Sequence, residues 1–180
     1  MRVSVEKKYF SLKFLKMHIG LLSDTHGFLH PAVQKHLKDV DEIWHAGDIG
    51  SLQVLQKLEE LAPVRAVFGN IDDANLRRQL PEILNYNIGN YKILMTHIGG
   101  YPGNYAAGIR QILYDNKPNL FISGHSHILK VKPDQKFKLL HINPGAAGLQ
   151  GFHQVCTLVR FRITNTIEDL EVVEFPKKRS

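Results

Sequence analysis

The chain has 180 residues, 43% of them hydrophobic, a formal charge of +6 and one cysteine. That is apolar sequence for the core of one domain, and no run approaches the ~20 apolar residues of a membrane helix. The lone Cys156 excludes an internal disulfide. With no signal-peptide core in the basic N-terminus, it points to a reducing cytoplasm.

The charge is unevenly placed. Residues 1–16 carry +4 and 177–180 carry +3, which leaves −1 on 17–176. We therefore expect a basic N-terminal extension over 1–16, a single domain over 17–176 and a basic tail over 177–180. Met17 stands directly before the first strand-like run, so 1–16 read as an appended or alternative-start segment. The folded body has no basic stripe for nucleic acid, which remains only as a class of substrate.

Met17 to Ser23 reads as a buried strand whose apolar run, Ile19 to Leu22, stops at Asp24-Thr25-His26-Gly27. His30 to Leu37 is helix-compatible, with Pro31 in its first turn. Asp41 to Ala46 is a second strand, ending in Gly47-Asp48. Ser51 to Leu61 is an amphipathic helix with Leu52, Leu55, Leu58 and Leu61 on one face and Ser51 as its cap. Val64 to Phe68 is a third strand, ending in Gly69-Asn70. Residues 71–81 are polar and irregular. Ile83 to Ile88 and Tyr91 to Met95 form a hairpin about Gly89-Asn90, followed by Thr96-His97. Gly99 to Gly103 is a loop, and Tyr105 to Tyr114 a helix weakened by Gly108. Leu120 to Ile122 is a strand leading into Ser123-Gly124-His125-Ser126-His127. Leu129 to Val131 and Lys138 to Ile142 pair about Pro133-Asp134, then Asn143-Pro144-Gly145 turns. Gln154 to Ile163 and Ile167 to Phe175 close the chain as an antiparallel pair, whose edge could support a homo-oligomer. Strands alternating with helices define an α/β fold with parallel strands.

Five apolar strands thus end in Asp24 and His26, Asp48, Asn70, His97, and His125 and His127. Side chains two apart on an extended segment point the same way, so Asp24 and His26 can converge on one ion. In an open α/β sheet, sites form at the carboxyl ends of strands. Seven ligands of imidazole, carboxylate and amide type exceed the needs of one metal and suit two that share a carboxylate. Without a thiolate they suit manganese, iron, zinc or nickel, with magnesium the poorest match to so many imidazoles. Manganese is the first expectation.

In order and spacing these blocks resemble the calcineurin-like metallophosphoesterases, from about Met17 to Asn143. The short length, the Gly69-Asn70-Ile71-Asp72 block and the Asn143-Pro144-Gly145 turn resemble the small bacterial and archaeal phosphodiesterase branch. That branch also holds the retromer subunit of the same fold. The resemblance implies a four-layer αββα sandwich of two mixed β-sheets flanked by helices. It implies two divalent metal ions, with Asp24, His26 and His127 on the first and Asn70, His97 and His125 on the second. Asp48 would bridge them opposite a hydroxide that attacks phosphorus in line. Asp48, Asn70 and His97 would be the catalytic set. Two such ions against Asp24, Asp48 and hydroxide leave the site at about +1, suited to a phosphate anion. The implied function is a phosphodiesterase acting on a small diester. The alternatives are a phosphomonoesterase at the same site and a non-catalytic protein-binding scaffold. Retention of Asp48 and Asn70 separates this chain from the scaffold-like arrangement, which carries Asn and Asp there.

One position departs from the superfamily pattern. Where many members have a His after Gly-Asn, this chain has Ile71, which cannot donate a proton. Turnover should then favour activated leaving groups, with Asp72 a candidate either to protonate or to position His97. His45 reads as a partly buried strand residue, His141 as structural, and His18, His30, His36 and His153 as surface or core residues. Trp44 reads as core, Asn104 and Tyr105 as a helix cap, and Asn143-Pro144-Gly145 as a backbone device beside the site.

Overall fold

The computed structural model describes residues 16–178. Most of the expected N-terminal extension and the last two residues of the expected basic tail lie outside that range. The chain runs β1 (Met17–Leu22), α1 (Pro31–Leu37), β2 (Glu42–His45), α2 (Leu52–Glu59), β3 (Val64–Ala66), α3 (Ala74–Gln79), β4 (Ile83–Ile88), β5 (Tyr91–Thr96), β6 (Gly100–Tyr101), β7 (Asn104–Tyr105), α4 (Ile109–Asn116), β8 (Leu120–Ile122), β9 (Leu129–Asp134), β10 (Leu139–Pro144), β11 (Val155–Ile163) and β12 (Ile167–Pro176).

Two five-stranded mixed sheets form, ordered β12-β11-β1-β2-β3 and β4-β5-β8-β10-β9. In the first, β1, β2 and β3 are parallel while β11 joins β1 antiparallel. In the second, β5, β8 and β10 are parallel, with β4 and β9 antiparallel at the edges. The sheets face each other across a core of Ile19, Leu21, Trp44, Met95, Ile122 and Phe161. On the far side of the first sheet, Val33 and Leu37 of α1 pack with Leu55 and Leu58 of α2. On the far side of the second, Ile109 and Leu113 of α4 pack on Leu94 and Phe121. Each central strand is therefore apolar on both faces, the signature of a buried strand. The arrangement is the αββα sandwich that the resemblance implied.

Four local expectations are corrected. Residues 100–105 form the small β6–β7 hairpin, because Gly100 turns at φ 69° and lets Gly100 pair with Tyr105. Asn104 and Tyr105 are therefore strand residues, and α4 starts only after Gly108, which is left-handed at φ 78°. Helix α3 occupies part of the stretch expected to be irregular. Asp73 caps it, accepting from the Asn75 and Leu76 amides at 2.9 Å each. Strand β9 runs through Pro133-Asp134, with Pro133 tolerated on an edge strand. The tight turn falls after it, where Asp134 accepts from the Lys136 and Phe137 amides.

Candidate metal centre

The loops after β1 and β2 are zipped together by their backbones. The amides of Asp24, His26 and Gly27 donate to the carbonyls of Gly47, Asp48 and Ile49 at 3.0, 3.0 and 2.8 Å. The loop after β8 joins from the second sheet, where the Gly124 amide donates to the His97 carbonyl at 2.9 Å. Two buried glycines permit this approach. A Cβ on Gly69 would lie 2.0 Å from Asp48 Oδ1, and one on Gly47 would lie 2.6 Å from His97 Nδ1.

The seven side chains gather at this edge. Two groups form, Asp24 with His26 and His127, and Asp48 with His97 and His125; ligand atoms within each lie within 4.8 Å of one another. Asn70 joins the second group, its Oδ1 3.1 Å from His97 Nε2. Asp48 lies between the groups, with Oδ1 3.3 Å from His97 Nε2 and Oδ2 3.8 Å from His26 Nε2. Asp24 and Asp48 are almost wholly buried, while Asn70 and His125 face solvent. Five of the seven have left-handed backbones: Asp24, His26, Asp48, His125 and His127, with φ between 50° and 67°. Such non-glycine conformations are strained, and strain of this kind concentrates at functional sites.

The donor set fits a cation. His97 Nδ1 lies 2.7 Å from the Ala46 carbonyl and donates to it, so in the neutral ring Nε2 carries a free lone pair. That lone pair faces the oxygens of Asp48 and Asn70, an assembly of acceptors only. In the first group, His26 Nε2 and His127 Nε2 stand 3.2 Å apart, and Asp24 Oδ1 is buried without a hydrogen-bond partner of normal geometry. Each group needs a positive charge among its atoms, supplied by a proton or by a metal ion.

The protonation tendencies follow. Burial pulls the His97 ring down, but the Asp48 and Asp24 carboxylates outweigh it and raise its pKa. The Asp24 carboxylate, with Oδ1 3.2 Å from His127 Nε2, raises His127 against its burial. His26 is lowered, since burial outweighs the attraction of Asp48 and Asp24. Burial works against the Asp48 carboxylate, but the hydrogen bond from His97 prevails and holds its pKa below the ordinary value.

Supporting residues were harder to read from sequence. Asp72 makes no hydrogen bond to the His97 ring, whose partners are the Ala46 carbonyl and Asn70. Its carboxylate accepts from the amides of Ile49, Gly50 and Gly69 at 3.2, 2.6 and 2.8 Å, tying the Asp48 loop to the Asn70 loop. Asp72→Ala should strand the buried amides of Ile49 and Gly69 and the partly buried one of Gly50, and cost about 3 kcal/mol. For a domain of this size that lowers the melting temperature by ~6–12 °C, measurable by calorimetry. His45 is fully buried rather than partly so. Its Nδ1 accepts from the Gly47 amide at 3.2 Å, so Nε2–H donates to the Thr25 hydroxyl at 2.9 Å. Thr25 passes the bond on to the Ile49 carbonyl, linking the loops that carry Asp24 and Asp48. Asn143 shapes the backbone as expected, donating to the Gly124 carbonyl and the Ser126 hydroxyl at 2.7 and 3.1 Å.

Two recesses flank the cluster. One of about 270 Å³ opens beside His125, and one of about 420 Å³ opens beside Asn70 and His97; Ile98 and Ala106 line both. Asn104 and Tyr105 line the first, where a helix cap was expected.

Residues 17–166 match the model of the calcineurin-like phosphoesterase superfamily domain. A probable metallophosphoesterase of Methanothermobacter thermautotrophicus is 30% identical over 162 residues, covering 87% of this chain and 92% of that protein. Among solved structures, a novel archaeal phosphodiesterase superposes with a TM-score of 0.71 at 23% identity, over 88% of this chain and all of the other. Vps29 from Entamoeba histolytica, solved with zinc, superposes with a TM-score of 0.63 at 19% identity, over 90% of this chain and all of the other. These last two likenesses are of fold.

Proposed function

Since this chain belongs to the calcineurin-like phosphoesterase superfamily, we propose that it is a phosphodiesterase that carries two divalent ions, manganese foremost, and hydrolyses a small diester. The observation that carries the reading is the pair of carboxylate–imidazole clusters with Asp48 between them. Asp24, His26 and His127 would hold one ion, Asn70, His97 and His125 the other, and Asp48 both. When bound, such ions polarise phosphoryl oxygens and lower the pKa of a coordinated water. The chain's own residues orient that chemistry. The Ala46 carbonyl fixes the His97 ring with Nε2 toward the site, and the Ile71 amide donates to Asp48 Oδ1 at 3.1 Å. The neutral Asn70 keeps the site's charge favourable to an anion.

Two features favour a diester. The recesses on either side of the cluster offer one space for each ester arm. Ile71, 45% exposed, stands after Asn70 without a proton to give. General acid catalysis is worth ~10²–10⁴-fold, so poor leaving groups should be slow. The Vps29 likeness fits a binding scaffold of the same fold; the full ligand set favours the enzyme. Among the described residues no helix is long and apolar enough to cross a membrane, and a cytoplasmic location agrees with the lone, buried Cys156.

The test is hydrolysis of bis(p-nitrophenyl) phosphate and p-nitrophenyl phosphate by metal-stripped protein titrated with Mn²⁺. We expect cleavage to require the metal and the diester to be cleaved at least ~10-fold faster. A faster monoester would reassign the site to phosphomonoesters. Metal-independent cleavage, or none of either ester with no metal bound, would overturn the reading.

A further inference from the structure

Three of the large hydrophobic side chains left exposed, Ile98, Tyr101 and Ile128, lie around the cavity beside His125. Their exposures are 46, 37 and 62%. Exposed apolar residues scattered singly need no explanation, but a cluster around a concavity marks a ligand site. At about 270 Å³ the cavity falls just under the ~300–1,000 Å³ of whole-ligand sites, so it suits part of a ligand whose remainder lies elsewhere. Its position against His125 places that remainder at the metal cluster.

The polar groups are few and of opposite kinds. Lys130 Nζ sits 3.5 Å from the centre of the Tyr101 ring. Among the described residues it forms no ion pair, so its donors are available to a ligand acceptor. His141 is fully buried and lines the cavity. The Ser123 hydroxyl donates to the Gly100 carbonyl at 3.1 Å, so it receives Nε2–H of His141 at 3.0 Å. His141 Nδ1 is buried without a hydrogen-bond partner of normal geometry. Burial pushes this ring down to about 4, so it stays neutral at pH 7. An alkyl arm would leave the Lys130 ammonium unanswered, at a desolvation cost. A flat heteroaromatic ring satisfies the apolar wall with its faces and the ammonium with its edge.

We propose that this cavity, walled by Tyr101, Ile98 and Ile128 and floored by His141, receives a nucleoside arm of the diester. The inference rests on the phosphodiesterase reading and adds the substrate class. Tyr101 would act as a stacking or edge contact and Lys130 as a donor to a base carbonyl.

The test compares two diesters that release the same p-nitrophenolate from manganese-loaded protein: the p-nitrophenyl ester of thymidine 5′-phosphate, and methyl p-nitrophenyl phosphate. The thymidylyl ester should show a kcat/KM about tenfold higher, carried by KM, the scale that one base–aromatic contact supplies. Tyr101→Ala and Lys130→Met should each cost the thymidylyl ester several-fold more than the methyl ester. A readout independent of turnover is the amide NMR spectrum of metal-free protein titrated with thymidine. Shifts should concentrate in residues 98–105 and 124–130 and weaken in Tyr101→Ala. Equal kcat/KM values, or thymidine shifts elsewhere, would overturn the assignment. A hexyl p-nitrophenyl ester outrunning the thymidylyl ester would also do so, by showing a plain alkyl site. If neither diester is cleaved yet thymidine still shifts these amides, the hydrolase reading fails while the nucleoside site stands.

Discussion

Asp48→Asn is expected to abolish hydrolysis, by at least ~10³-fold, and to lower the bound metal from two ions to one or fewer. A single well-placed electrostatic donor is worth ~10²–10³-fold in comparable sites. Asp48 does more than that, because its two oxygens face both clusters, Oδ1 toward His97 and Oδ2 toward His26. The substitution is close to isosteric, and an amide Oδ1 still accepts from the Ile71 amide. The fold should therefore persist, which separates loss of chemistry from loss of structure. Steady-state kinetics with a metal count and a far-UV spectrum on the same sample provide the check. A variant that keeps a tenth or more of wild-type activity would show that Asp48 is not shared between two ions.

The second large effect is on stability. Manganese should raise the melting temperature of stripped protein by ~5–10 °C at pH 8, and by much less at pH 6. An ion present at 100 times its dissociation constant adds ~2.7 kcal/mol. In a domain of this size each kcal/mol moves the midpoint by ~2–4 °C. The pH dependence follows from the two histidines whose pKa values are raised, His97 and His127. A raised pKa contributes stability that is full below the ordinary value near 6.5 and is lost as pH rises through the raised one. At pH 6 the metal-free protein thus has protons where a metal would sit, and binding must expel them. As pH rises through the raised values those protons leave, so the carboxylates lose a counter-charge and the ion has more to offer. His26, lowered by burial, holds its proton less readily and competes less with the ion. Thermal scans with and without Mn²⁺ at pH 6, 7 and 8 test this, and a shift independent of pH would contradict it.

The site residues could be read in the sequence because each ends an apolar run. Ile19 to Leu22 has no polar residue until Ser23-Asp24, and Leu120 to Ile122 none until Ser123. Burial of both sheet faces requires such runs, and whatever follows them must emerge at a sheet edge. The amphipathic α2 was legible for the same reason, with Leu55 and Leu58 buried and Ser51 accepting from the Val54 amide. Helix α3 was not, because it is six residues long and buries only Leu76, too little for a periodicity. Its one usable signal was Asp73 in a capping position. The β6–β7 hairpin depends on Gly100 at positive φ, and glycine's permissiveness hides which conformation it adopts. The contacts of Asp72 were not legible because a carboxylate next to a site reads as chemistry, while its partners are the Ile49 and Gly50 amides of a distant loop and the Gly69 amide three residues back. His45 and His141 are buried by segments distant in the chain, the first against Thr25 and the second against Phe121 and Ser123, which no local pattern encodes.

The most direct measurement is an anomalous difference map from crystals grown with Mn²⁺. The account predicts two peaks per chain. One should lie among Asp24, His26 and His127, the other among Asn70, His97 and His125, with Asp48 touching both. A single peak, or none, at saturating manganese would contradict the two-ion centre.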